Sequence, residues 1–175
     1  MKIKRVVTGS LEENCYVLIH NNDCLVIDPG DDFNLILEEI KNYNLLAILI
    51  THHHFDHVGA LDELLNYKDV PIYDYKIEEK DYEINNFKFK IIKTLGHTDD
   101  SITFYFYEDN TMFTGDFLFK ESIGRTDLPT GDNILMKQSL EKIKKYPKEI
   151  KIYPGHGEDT TLEYELNYNY FLRGD

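Results

Sequence analysis

An α/β fold, with sheets covered by helices, is predicted by three features of this sequence. Short apolar runs alternate with segments of helical spacing. Two of the runs flank an Asn-Asn turn and read as a hairpin. Four of the strand-like runs end in a loop that opens with His or Asp.

The elements follow in order. Residues 15–20 (CYVLIH) and 24–30 (CLVIDPG) form the hairpin around Asn21-Asn22. That pairing sets Cys15 opposite Asp28 and Cys24 opposite Ile19, so the two thiols do not meet. Reduced, buried cysteines of a cytoplasmic protein are expected. Phe33, Ile36, Leu37 and Ile40 have helical spacing behind Asp31 or Asp32 as N-cap. Residues 45–50 (LLAILI) read as a buried strand, 58–68 as a helix and 70–75 as a strand. In residues 87–94 (FKFKIIKT), alternation places Phe87, Phe89 and Ile91 on one face. Residues 101–107 and 111–116 read as further strands. A helix over 133–146, capped by Asp132 or Asn133, precedes a strand at 149–156. The last helix spans 161–172, and its stripe of Tyr164, Tyr168 and Phe171 predicts core packing. Polar residues 76–86 fit neither pattern. One domain over residues 1–175 is expected, a size that buries roughly 70% of its unfolded surface.

Charge narrows the partners. Nineteen Lys and Arg against 32 Asp and Glu leave a formal charge of −13. Such a field repels nucleic-acid backbones and anionic membranes, so neither is an expected partner. No run is long enough for a signal peptide or a membrane span. An anionic ligand would need a local cationic centre, which a metal supplies.

Residues 51–60 (THHHFDHVGA) concentrate four of the seven histidines. The strand 45–50 runs into His52, the strand 87–94 into His97, the strand 111–115 into Asp116 and the last strand into His156. Gly stands immediately before His97, Asp116 and His156, which suits sharp turns and close backbone approach. Converging imidazoles and carboxylates suit zinc-type ions. Extended geometry sends His52 and His54 to one side and His53 to the other, with Asp56 and His57 at the mouth of the next helix. His53 is thereby left to support the loop, and His20 to packing.

The pattern His-x-His-x-Asp-His followed by spaced His, Asp and His resembles the metallo-β-lactamase superfamily. Within it, "NCYVL", "VIDPG", "GHT", "GDFLF", "IGRTDLPTGD" and "YPGHGEDTT" look most like the short bacterial form of glyoxalase II, the hydroxyacylglutathione hydrolases. The resemblance implies a four-layer αββα sandwich with two divalent ions at one sheet edge, Zn²⁺ first, Fe or Mn also compatible. It assigns one ion to His52, His54 and His97, the other to Asp56, His57 and His156, with Asp116 bridging. Asp28 would buttress the ligand loops. Two departures bear on the substrate: full-length glyoxalase II has a C-terminal helical domain with basic residues for glutathione, not expected here, and Asp99-Asp100 replaces the usual Pro-Gly.

The expected activity is hydrolysis of a small-molecule thioester such as S-lactoylglutathione, by attack of a metal-bridging hydroxide, with Asp56 and Asp116 as catalytic carboxylates. Arg125 either holds a substrate carboxylate or pairs with Asp127. The rival readings are a persulfide dioxygenase with one iron on His54, His97 and Asp116, a metal-dependent nuclease or other ester hydrolase, and a non-catalytic metal module. The Gly155-His156-Gly157 motif favours the hydrolase over the dioxygenase, the acidic charge disfavours a nuclease, and a purely structural site would be closed and usually Cys-rich.

Overall fold

Two sheets face each other across an aromatic core, as a computed structural model describing residues 1–173 shows. The first sheet contains β1 (Lys2–Thr8), β2 (Glu13–His20), β3 (Asp23–Ile27), β4 (Asn44–Leu49) and β5 (Ile72–Tyr73), in that spatial order. Between them run α1 (Phe33–Ile40), α2 (Phe55–Val58) and α3 (Leu61–Tyr67). The second sheet draws on β6 (Asp81–Ile84), β7 (Phe87–Lys93), β8 (Ile102–Phe106) and β9 (Thr111–Gly115). A small hairpin of β10 (Leu118–Phe119) and β11 (Ser122–Ile123) leads to α4 (Asn133–Ile143). The chain then adds β12 (Lys151–Pro154) and β13 (Thr160–Thr161), followed by α5 (Leu162–Tyr168) and α6 (Tyr170–Arg173). The second sheet is ordered β13-β12-β9-β8-β7-β6.

Alternation explains the layers. In β2, Tyr16 and Leu18 point between the sheets while Cys15, Val17 and Ile19 point outward under α1 and α3. Both faces are covered, so almost the whole strand is buried. From the second sheet, Phe87, Phe89, Ile91, Phe104 and Phe106 fill the inner layer. Its outer face, including Ile92, Met112 and Ile152, packs on Met136, Leu140 and Ile143 of α4 and Leu172 of α6. The result is an αββα sandwich.

The hairpin has the expected register, with Ile19 paired to Cys24, and both cysteines are free and buried. Differences from the sequence reading have local causes. Lys2–Thr8 forms an edge strand whose charged residues hide its pattern. Asp81–Ile84, inside the unassigned polar segment, pairs with β7 at the opposite sheet's edge. The helix expected over 58–68 breaks after Val58 and resumes at Leu61. Asp132 caps α4 through Ile134 N and Leu135 N, whereas Asp32 at the start of α1 lies in the left-handed region and accepts from Gly9 N instead. The last helix breaks at Asn169, and the aromatic stripe is not core: Tyr168 is 61% exposed and Phe171 47%. α5 buries the face of Leu162 and Glu165 instead, which turns Tyr168 outward, and Leu162 and Leu172 make the packing contacts. Among the described residues no helix is long and apolar enough to cross a membrane.

Candidate metal centre

Parallel strand pairs bring the ligand loops to one edge. β3 and β4 are parallel neighbours, so Asp28 and Thr51 emerge side by side, with Asp28 N donating to Leu49 O at 3.0 Å. β9 and β12 are likewise parallel, and Asp116 and His156 follow their ends. Ligand loops collect at the carboxyl ends of such strands. A hydrogen bond from Ile102 N to Thr51 O (2.9 Å) ties the two edges together.

Two glycines permit the approach. Gly115 has φ +51, a conformation open to glycine at low cost, and a Cβ there would sit 2.2 Å from Thr51 Oγ1. A Cβ on Gly155 would lie 2.4 Å from Asp116 Oδ1 and 2.6 Å from His57 Cε1.

The imidazoles face inward through defined nitrogens. His54 Nδ1 lies 3.1 Å from His52 Nε2 and 3.0 Å from His97 Nε2. Asp56 Oδ2 is 3.2 Å from His156 Nε2 and 3.9 Å from His57 Nε2, forming a second group. Asp116 lies between the groups: Oδ1 is 3.3 Å from His57 Nε2 and 3.8 Å from His156 Nε2, and Oδ2 is 3.6 Å from His97 Nε2.

The opposite ring atoms fix the tautomers. His97 Nδ1 donates to Arg125 O at 2.8 Å, and His156 Nδ1 to Leu11 O at 3.0 Å. Thr51 Oγ1 donates to Asp28 Oδ2 at 2.6 Å, so its 3.2 Å contact with His52 Nδ1 is as acceptor. Asp28 also accepts from Thr51 N (2.7 Å) and contacts His57 Nδ1 at 3.0 Å. His52, His57, His97 and His156 therefore turn Nε2 towards the cluster, the arrangement by which outer hydrogen bonds orient metal-binding imidazoles. His53 points the other way: Nδ1 lies 2.7 Å from Asp100 Oδ2 and Nε2 3.5 Å from Asp74 Oδ2.

Electrostatics follow burial and partners. Burial pushes the Asp116 carboxyl up, but the facing His57 and its neighbouring imidazoles outweigh this and hold it at about 2. Burial alone would push His57 down, yet the Asp116 and Asp28 carboxylates raise it well above its ordinary value. His52 is pushed well below by burial, reinforced by His57. His57 Nε2 and Asp116 Oδ1 are buried without a well-formed hydrogen bond. Buried polar atoms aimed at a common space are costly unless something completes them. The all-nitrogen-and-oxygen donor set fits divalent cations such as zinc.

Two residues of this neighbourhood lay outside the sequence reading. Glu13 starts β2, accepts from Thr8 Oγ1 at 2.8 Å, and sits 3.8 Å from His57 Nδ1; burial pushes its carboxyl up to about 10. Thr51 links Asp28 to His52. The available signal was a lone Glu heading an otherwise buried strand, which by itself reads as a strand end.

The centre floors an open cavity of about 480 Å³, lined by His54, Asp56, His97, Asp116 and His156 with Leu11, Phe55, Phe119 and Leu128 around them. Arg125 lies on its rim, its guanidinium bidentate to Asp127 at 2.7 and 2.8 Å.

This chain is similar in sequence and fold to known proteins. The model of the metallo-beta-lactamase superfamily matches residues 8–83 and 73–156. Hydroxyacylglutathione hydrolase GloC of Haemophilus influenzae is 29% identical over 208 residues, covering 98% of both chains. The crystal structure of BLEG-1 B3 metallo-beta-lactamase is 31% identical with a TM-score of 0.95, covering 99% of this chain and 100% of the other. TTHA1623, crystallised in a di-iron-bound form, is 33% identical with a TM-score of 0.87, covering 97% and 100%.

Proposed function

Because this chain belongs to the metallo-beta-lactamase superfamily, we propose that it is a dinuclear metal hydrolase that cleaves a small-molecule thioester such as S-lactoylglutathione. The observation that carries the reading is the joining of two donor groups through one carboxylate, Asp116, at the floor of an open cavity. The names of GloC and of the di-iron TTHA1623 support it.

His52, His54 and His97 would hold one ion, Asp56, His57 and His156 the other, with Asp116 shared and Zn²⁺ the first candidate over Fe or Mn. Such ions, when bound, supply a water of lowered pKa and Lewis acidity for the carbonyl oxygen. The protein's own part is positional. Asp116 stays ionised, and so does Asp56, whose burial is outweighed by His156 and His57. Both carboxylates face the cavity and orient the hydrogens of the attacking water. Leu11, Phe55, Phe119 and Leu128 exclude bulk water around the acyl group. Water adds to the acyl carbon, the carbon–sulfur bond breaks, and a carboxylate and a thiol leave, one proton of the water ending on sulfur and the other passing to solvent. The thiolate needs little acid assistance because free thiols ionise near pKa ~8.5. The free, buried cysteines fit a cytoplasmic location.

Elemental analysis of loaded protein should find two ions per chain, with S-lactoylglutathione turned over. Asp116→Ala should lower turnover more than about 100-fold, beyond what outer hydrogen-bond partners usually contribute. A single ion per chain, with oxygen uptake on glutathione persulfide by the iron form and no thioester cleavage, would overturn the reading in favour of the dioxygenase.

A further inference from the structure

The walls around the metal centre carry a second message, about the thiol carrier. A glutathione thioester brings two carboxylates remote from its scissile bond, which need cations of their own because the metal ions would be taken up by the thioester group and the attacking water. Among the described residues lining the cavity, the one permanent side-chain cation is Arg125, and Asp127 already holds the Nε–Nη2 edge of its guanidinium and balances its charge. A substrate carboxylate would meet an exposed guanidinium whose charge Asp127 already balances, and would either share it with Asp127 against like-charge repulsion or displace Asp127, at little net gain in both cases. Two further cations lie near by. Lys120, next to the lining Phe119, pairs with Glu158 at 2.6 Å, and Arg5, which donates to Gly157 O at 3.0 Å, also acts on Glu158; neither lines the cavity.

The routes out of the cavity are acidic. One flanking groove shares His54 and Leu128 with it and runs past Asp99 and Asp100. The other shares Leu11, Phe55 and Asp56 and runs past Asp31. With a formal charge of −13 over the chain, neither groove welcomes an anion. The mouth itself is apolar: Phe55 is 75% exposed and Leu11 51%, with Phe119 and Leu128 lining the cavity beside them. Large exposed apolar side chains gathered at a cavity gain by being covered.

We propose that this site takes an uncharged thioester with an apolar arm seated on Leu11, Phe55, Phe119 and Leu128, and disfavours carriers bearing carboxylates. The inference rests on the thioester reading above and narrows it.

S-lactoylglutathione and S-lactoyl-N-acetylcysteamine share their acyl group and scissile bond and differ in carrier charge. With metal-loaded protein, kcat/KM should be at least about tenfold higher for the neutral lactoyl ester, and higher for the S-butyryl than for the S-propionyl ester of N-acetylcysteamine, as an added methylene does in an apolar pocket. Phe55→Ala should cancel most of the butyryl gain. Arg125→Ala should change both lactoyl esters by less than about threefold, because an exposed ion pair contributes little. Preference for S-lactoylglutathione, or a KM rise confined to it in Arg125→Ala, would overturn the inference and leave the hydrolase standing. A binding comparison separates the two claims. Calorimetry with the uncleavable thioethers S-hexyl-N-acetylcysteamine and S-hexylglutathione, on metal-free and loaded protein, should show tighter binding of the neutral one. That result without any thioester turnover would keep the ligand class and overturn the hydrolase. Tighter binding of S-hexylglutathione would overturn the ligand class.

Discussion

Asp28 shows how much one residue organises. It holds a left-handed backbone (φ 48), accepts two hydrogen bonds from Thr51 and meets His57 Nδ1. Through Thr51 it also sets the tautomer of His52, so one carboxylate orients an imidazole in each ligand group. The neighbouring histidines divide by the parity of an extended chain, with His52 buried, His53 turned to Asp100, and His54 facing the cavity. His53→Ala should therefore keep nearly full metal content while His54→Ala loses most of one ion, read by elemental analysis after gel filtration. Equal losses would mean that His53 helps hold the ions. This parity was legible because alternation follows from backbone geometry alone. Glu13 was not, because its importance comes from contacts with His57 and Thr8 that only the folded chain creates.

At the scale of elements, loops at strand ends deliver His52, His54, His97, Asp116 and His156, and the short α2 that follows β4 delivers Asp56 and His57. The apolar runs and the residues that terminate them were readable, since a buried strand must alternate or be apolar throughout. Helix boundaries were less so. The short α2 starts at Phe55 with His54 in the capping position, and its side chain is aimed at the cluster instead of capping the helix. The final helix breaks where Asn169 Nδ2 donates to the buried Glu165 and to Ser122 O, a tertiary preference that overrides helical spacing. Gly155 tests the delivery by strand ends. A methyl group there would collide with Asp116 Oδ1 and His57 Cε1, and overpacking of that kind costs roughly 1–3 kcal/mol. Gly155→Ala should keep its far-UV circular dichroism yet lose metal preferentially from the Asp56, His57 and His156 group. Gly157→Ala is the control: its φ is +77 but nothing lies within 4 Å of the added Cβ, so metal content should hold. Full metal content in Gly155→Ala would show that the loop relaxes freely.

For the molecule as a whole, the metal-free state carries several protonation preferences locked in by the fold, and their signs set its stability against pH. His52 and His54 are pushed down by burial, so the unfolded chain binds more protons than the native one below pH 6.5, and stability rises with pH there. Glu13 has the opposite sign. Its carboxyl, at 4.5 when unfolded and about 10 when buried, stays protonated in the native chain across that interval, so its contribution falls as pH rises. His57 is raised by Asp116 and Asp28 against the pull of burial, and its contribution also falls with pH above 6.5. Stability of the metal-free protein should therefore peak near pH 6.5 and decline towards about pH 9. Glu13→Gln keeps the shape and the acceptor for Thr8 Oγ1 but removes the ionisation. Its urea midpoint should decline less steeply above pH 6.5 and exceed that of the natural chain at about pH 9. Parallel declines in the two proteins would mean that Glu13 does not hold its proton in the native state, and would leave His57 as the main source of the slope.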